Sequence, residues 1–507
     1  MSPTTPSLHR PAPILRDPAA AARGTFDLIV VGGGIYGIAA TLEAGRRGLR
    51  TLLLERDDFA AATTANHLRT LHGGIRYLQS MDLPRFYESV CERRWFSQHF
   101  PGLVEPIPCL MPLYGNGVKR REVFLFGLLL NDILSSQRNR GVVPARHLPT
   151  SRIVSTAETQ RIFPSVDGRG LKGSARWYDI AMPEPQRLVL TLMHAAAGTG
   201  ATFLNYTEAT ALTTSDGRVT GVRALDHESG REFDFAAPKV LIAAGPATRA
   251  LAARWHKDQP ALFHRGLLLW NLLLRRPALS HHALALTPDR GRGHTYFLHT
   301  WKGRLLVGTG EALMAEGDLT TTVAPERLAE TIDDLNRAVP GLDLTAADVE
   351  RVYSGQLPAT PGGKLANRPI IVDHGAHGGP GGLWSVTGVK FTTARRVADA
   401  LLSRLDPRGP VAPHRFPDPT TGPMFEYGWL PAENDRSWFY QLKTLIAEEA
   451  VLHLDDLLLR RTSLADNPGR LPSLFPTLRP LFPDWDEARW QREIDRVNQR
   501  LRSAVPA

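Results

Sequence analysis

The chain has 507 residues, 43% of them hydrophobic and 22% charged, with a formal net charge of +9. That length predicts about three structural units with ample apolar material for their cores. No apolar run approaches the roughly 18 residues of a membrane-spanning helix, and the scattered arginines follow no nucleic-acid motif, so neither a membrane span nor a nucleic-acid partner is expected. The moderate positive charge favours an anionic substrate or an anionic membrane surface. Cys91 and Cys109 lack metal-ligand or redox spacing, which fits free thiols in a reducing cytoplasm; no metal site is expected.

Residues 1–24 are rich in Pro, Ala, Ser and Thr and lack the apolar core of a signal peptide. They read as a disordered extension, with an organelle transit peptide as the alternative. From 26 to 55 the pattern is strand, glycine turn, helix, strand and acid. The run Val30-Val-Gly-Gly-Gly-Ile-Tyr-Gly37 supplies Gly32, Gly34 and Gly37, and Glu55 closes the second strand. This is the spacing of a βαβ dinucleotide-binding unit: the glycines shape a tight turn, the helix start attracts a pyrophosphate, and the acid accepts from ribose hydroxyls. A lone glycine triplet carries little; the ordered set of strand, turn, helix, strand and acid carries much.

Residues 59–78 read as a loop entering a helix, and 84–100 as a helix. The apolar core 123–130 is flanked by Lys119, Arg120 and Arg121 on one side and by Arg138 and Arg140 on the other. It is too short to cross a bilayer. It reads either as a helix lying in an anionic membrane interface or as a buried helix. A strand over 200–204, a hairpin of 219–224 with 232–236, and a buried strand ending at Gly245 follow. Strands at 267–274, 295–299 and 304–308 predict a mixed or antiparallel sheet. A helix at 324–338 precedes strands at 370–372 and 383–386 and a helix at 393–405. Residues 407–423 read as a Pro-rich linker, and 437–501 as helices interrupted by a Pro-rich stretch.

Four further strings add up to a resemblance: Phe59-Ala-Ala-Ala-Thr-Thr64, Leu71-His-Gly-Gly-Ile-Arg-Tyr-Leu78, Val352-Tyr-Ser-Gly355 and Thr387-Gly-Val-Lys-Phe-Thr-Thr393. With the glycine fingerprint they resemble the FAD-dependent glycerol-3-phosphate dehydrogenases, within the D-amino-acid-oxidase-like flavoproteins, over roughly residues 26–405. The resemblance implies an α/β fold with a Rossmann-like FAD-binding domain (a parallel sheet with helices), a sheet-based substrate domain and a helical C-terminal region. It divides the chain into an FAD-binding domain of 26–91, 165–247 and 365–408, a substrate domain of 92–164 and 248–364, and a C-terminal domain of 425–507. The implied reaction oxidises the secondary alcohol of glycerol 3-phosphate to dihydroxyacetone phosphate, with electrons passing to a quinone or another acceptor. A cytoplasmic protein, with peripheral contact to the inner face of the cell membrane and a homodimer both left open, is expected.

The same resemblance implies residue roles. Gly32, Gly34, Gly37 and Glu55 match the pyrophosphate turn and ribose acid. Thr63, Thr64, Arg69, Thr70, Leu71 and His72 match the segment along the cofactor. Ala209 matches an adenine contact, Gly245 a strand-closing glycine, and Gly388, Lys390 and Thr392 the turn beside the flavin ring. Arg76, Tyr77, Arg368 and Lys390 are the implied substrate ligands, and Lys390, Arg76 and His72 the catalytic candidates. Histidine titrates near neutrality, so His72, His264, His294 and His299 are candidates for the base. Two departures bear on the substrate. Leu357 stands where the family has a substrate arginine, and Leu268-Leu-Trp-Asn271 where it has a Lys-Gly-Ser-His stretch. Loss of a guanidinium fork predicts a less anionic hydroxy or amino substrate, or replacement by groups such as Arg265 or His264. A flavin-binding protein without catalysis is the remaining alternative.

Overall fold

A computed structural model describes residues 11–115, 120–256, 265–290, 292–407, 411–417 and 437–502. Its first layer is a six-stranded sheet in the order Ile370–Asp373, Leu383–Thr387, Val240–Ile242, Leu28–Val31, Thr51–Leu54, Thr202–Leu204. All neighbours are parallel except the antiparallel edge strand Ile370–Asp373. Leu28–Val31 and Thr51–Leu54 are buried at every position, as expected for strands covered on both faces. Helices Ile35–Arg46, Pro185–Ala197 and Ala394–Leu405 pack together on one side and share one apolar core with the sheet. A three-stranded antiparallel sheet of Thr207–Ser215, Arg218–Asp226 and Arg231–Ala236 joins the core on the other side.

The second large sheet has the order Val349–Pro358, Arg265–Leu274, Arg304–Glu316, Tyr296–Trp301, Ala283–Leu286, Glu105–Pro112, Ser174–Ala181, Thr70–Leu71. It is antiparallel apart from the parallel pair of Ala283–Leu286 with Glu105–Pro112. Its last strand, Thr70–Leu71, belongs to the segment that leaves the glycine turn, so the two sheets meet there. Helix Arg121–Leu134 covers part of this sheet through Phe124 and Leu128. Its opposite face is bare, with Phe126 68% and Ile133 69% exposed.

The C-terminal helices Ser437–Glu448, Leu471–Leu478 and Glu487–Arg502 enclose a separate core. Charge fastens them to the nucleotide-binding domain. Asp58, four residues past the second strand, receives both terminal nitrogens of Arg461, at 2.6 and 2.7 Å, and the Nε of Arg460. Arg460 also reaches Asp455 and Asp456, each at 2.8 Å.

Two expectations change. The disordered extension over 1–24 does not hold for residues 11–24: Asp17 caps a helix over Pro18–Ala22, and Ile14, 1% exposed, accepts a place beside Glu449. Residues 1–10 lie outside the described residues, as do His264, Lys119 and 418–436 of the linker and C-terminal region. Strand Ser174–Ala181, assigned to the FAD-binding domain, pairs instead with Glu105–Pro112 in the substrate sheet. Its mixed sequence, with one acid and one arginine among aromatic and small residues, does not say which sheet it joins.

Candidate active site

The glycine turn works by absence of side chains. Gly32 has φ +115°, and a Cβ there would stand 2.5 Å from the Ala243 carbonyl oxygen. A Cβ on Gly37 would stand 1.9 Å from the Gly32 carbonyl oxygen. Both distances are impossible for a real side chain, so strand and helix approach only through glycine. Gly34 caps helix Ile35–Arg46 with no side chain of its own, so no acid of the cap competes for the positive end of the helix dipole. The Thr64 hydroxyl accepts from the Ile35 N–H at 3.0 Å.

Glu55 is half-buried. It accepts from the N–H groups of Gly33 at 2.6 Å and Asp57 at 2.9 Å. Burial pushes its carboxyl above the usual range, and these two hydrogen bonds oppose the rise. Ala209 is buried in the first strand of the small sheet, and Gly245, at φ +56°, ends the strand Val240–Ile242.

The segment from Thr63 to Leu71 runs from this turn to the substrate sheet. Thr63 donates to the Gln356 carbonyl at 3.4 Å. Arg69, buried and left-handed at φ 60°, donates to the carbonyls of Ala65 at 2.6 Å and His67 at 2.9 Å and stacks over Tyr353. Thr70 touches His299, and Leu71 is fully buried. His67 Nε2, Arg69 Nε, Thr387 Oγ1 and Tyr353 Oη are buried without hydrogen-bond partners. Such orphans are rare in a finished core and suit a polar ligand laid along this segment. The glycine-capped helix start, the half-buried acid and these unsatisfied atoms fit FAD; the turn could hold its diphosphate and Glu55 its ribose.

Gly388, Lys390 and Thr392 form the turn that starts helix Ala394–Leu405. Tyr36 ties this turn to the fingerprint helix. Its ring lies against Gly388, and its hydroxyl accepts from the Val389 and Lys390 N–H groups at 3.1 Å while donating to the Lys390 carbonyl at 2.8 Å. The sequence reading assigned Tyr36 no role, because its position inside the glycine motif says nothing of a contact more than 350 residues away.

His72 is half exposed and is gripped from behind. Its Nδ1 lies 3.1 Å from Asp179 Oδ2, and its ring packs edge-on against Phe297. Asp179 is buried and also accepts from the Gly73 N–H at 2.7 Å and from Arg93 at 3.1 Å. Burial alone would raise the Asp179 carboxyl; the hydrogen bond and charge of His72 and the charge of Arg93 hold it below its usual range. An ionised Asp179 fixes Nδ1 as the protonated nitrogen and leaves Nε2 as an acceptor. His299 is spent differently: it is buried, burial lowers its pKa, and both ring nitrogens face backbone carbonyls, of Thr300 and Leu68. His294 lies with its Nε2 against the Thr309 carbonyl at 2.7 Å. Asp179 was missed by the sequence reading, although an acid between Tyr178 and the apolar pair Ile180-Ala181 was a usable signal.

Lys390 Nζ sits 4.2 Å from the centre of the Tyr77 ring, so these two expected substrate ligands are brought together. Arg76 and Arg368 are exposed, and no contact joins either to Lys390. Arg85, on helix Leu83–His99, shares the Tyr77 ring at 4.3 Å and was not anticipated. One arginine among several on an amphipathic helix gives no signal of its own.

Comparison with known proteins agrees with this geometry. Residues 27–404 match the model of the family described as FAD dependent oxidoreductase (DAO). The chain is 30% identical over 407 residues to a glycerol-3-phosphate dehydrogenase of Synechocystis, covering 75% of this chain and 70% of that one. It is also 30% identical to glycerol-3-phosphate dehydrogenase 1 of Mycobacterium tuberculosis, covering 75% and 73%. Among solved structures, the glycerol-3-phosphate dehydrogenase of Bacillus halodurans complexed with FAD superposes with a TM-score of 0.70 at 20% identity, over 96% of this chain and 97% of that one.

Proposed function

The chain belongs to the DAO family of FAD-dependent oxidoreductases, and on that premise we propose that it oxidises the secondary alcohol of glycerol 3-phosphate to dihydroxyacetone phosphate. Bound FAD supplies the acceptor for the hydride. The protein's own groups do the rest. His72 Nε2 takes the hydroxyl proton, and Asp179 holds the ring in the tautomer that can accept it. Lys390, Arg76 and Tyr77 hold the anionic end of the substrate, which fixes the reacting carbon. The observation that carries this reading is the His72–Asp179 pair, placed five residues before Tyr77 and Lys390's ring contact.

The test is anaerobic mixing of the yellow holoenzyme with glycerol 3-phosphate. Bleaching of the flavin absorbance supports the reading. Bleaching by neutral alcohols or amines alone would overturn it in favour of a less anionic substrate, the reading that Leu357 and Leu268 support.

Electron transfer onward to a membrane quinone is supported by helix Arg121–Leu134. Val123, Leu125, Phe126, Leu129 and Ile133 are exposed on it, and Arg120 and Arg121 stand exposed at its start. Among the described residues no helix is long and apolar enough to cross a membrane. An apolar face with cations at its edge suits the interface of an anionic bilayer. Co-sedimentation with phosphatidylglycerol vesicles checks this: Phe126→Asp with Ile133→Asp abolishes binding while flavin content is unchanged. Binding that survives both substitutions removes the helix as the anchor.

A further inference from the structure

The Tyr77 ring carries two cations, and only one of them was expected. The Arg85 guanidinium makes three contacts, all long: Asp82 Oδ2 at 3.4 Å, Asn367 Oδ1 at 3.2 Å and Tyr77 Oη at 3.4 Å. Its Nε is buried and has no partner. Asp82 is committed twice, since its other oxygen caps the helix through the Arg85 N–H. A guanidinium offers five donors in a planar fork, and here the fork is weakly engaged beside a lysine that has no carboxylate against it.

The place matters as much as the chemistry. Asn367, which holds the fork, follows Ala366, whose N–H donates to the Pro358 carbonyl at 2.9 Å. Pro358 directly follows Leu357 at the end of strand Val349–Pro358. Arg85 therefore reaches, from a helix, the neighbourhood of a strand end that carries leucine.

We propose that Arg85 and Lys390, both seated against the Tyr77 ring, form an anion subsite that takes the phosphate monoester of the substrate. This rests on the reading of the substrate as glycerol 3-phosphate. A dianion that reaches both cations gains charge-assisted hydrogen bonds from donors that are idle or stretched without it. The ring keeps the cations near each other at little cost, because each is attracted to its face. Asn367 and Asp82 aim the fork but leave it free to exchange partners.

The experiment titrates inorganic phosphate into the FAD-loaded protein, read by flavin difference absorbance and by calorimetry. Arg85→Gln weakens phosphate binding roughly tenfold or more. Its KM for glycerol 3-phosphate rises in step, kcat stays within about threefold, and turnover of neutral glycerol is unaffected, the pattern of a lost ground-state contact. Arg85→Lys keeps the charge and the ring contact but loses the fork, and falls between. Phosphate binding by Arg85→Gln equal to that of the unaltered protein overturns the proposal; should that variant fail to fold, unweakened binding by Arg85→Lys does so. If the unaltered enzyme is not bleached by glycerol 3-phosphate, the substrate reading falls, while the phosphate titration still decides whether Arg85 binds the anion.

Discussion

The two ends of the active site are built from different materials. The nucleotide end is made mostly of backbone: a glycine turn, a glycine-capped helix start and one half-buried acid bonded to it. The proposed substrate end is made of side chains drawn from separate elements: His72 and Tyr77 from the connecting segment, Asp179 from a strand, Arg85 from a helix and Lys390 from a distant turn. Backbone geometry tolerates almost no substitution. A charge can be delivered to one point in space from several places in the chain. The first end is therefore rigid in sequence, and the second can draw its charges from different elements, as the Arg85 and Lys390 contacts with Tyr77 illustrate.

The strongest test of the contrast is Gly37→Ala. Its Cβ would fall 1.9 Å from the Gly32 oxygen, so strand and helix must separate. We expect a loss of about 4 kcal/mol or more and a colourless preparation, measured by denaturant unfolding and flavin absorbance per chain. A yellow, stable Gly37→Ala protein would show that the turn is not held by steric contact.

Next in size is Asp58→Asn, which leaves Arg461 without its carboxylate in a buried site and takes one of three from Arg460. Removing one partner of a buried ion pair costs about 3–5 kcal/mol. Limited proteolysis should release the C-terminal helices well before the nucleotide-binding domain unfolds. Equal resistance of both parts would sink the view that charge, rather than apolar packing, fastens this domain.

Asp179→Asn bears on the side-chain end alone. With the tautomer of His72 no longer dictated, kcat falls roughly tenfold to a hundredfold, the pH profile shifts, and flavin content stays normal. Unchanged kcat and profile would mean that His72 only braces the loop.

The smallest effect is a pH dependence at the C-terminal domain. Burial works against the charge on His453, but hydrogen bonds to Glu228 and Glu493 raise its pKa to about 9. A raised folded-state value means stability is fully present below the unfolded value of about 6.5 and is lost as pH rises toward 9. The loss is on the order of 1–2 kcal/mol. Melting curves between pH 6 and 9.5 should show it in the unaltered protein and not in His453→Gln.

Residue patterns carried the nucleotide-binding domain nearly whole. Two buried parallel strands, a glycine turn and Glu55 are local in sequence, and their spacing follows from steric rules that act over about 30 residues. The Leu71-to-Leu78 string and the Thr387-to-Thr393 turn likewise placed Tyr77 and Lys390. What stayed hidden were contacts of long range: Tyr36 with the Lys390 backbone, Asp179 with His72, Arg85 with the Tyr77 ring and Asp58 with the C-terminal arginines. The strand Ser174–Ala181 could equally have served either sheet, since a period of two names a buried face and not a partner.

Local sterics thus wrote the cofactor end directly into the order of amino acids, because a glycine turn is dictated by its immediate neighbours. Which charges meet around the substrate was decided only when the sheets, the helix from Leu83 and the C-terminal helices closed upon one another. A charge acts through distance in space, and one chain can bring an arginine to the same point by many routes.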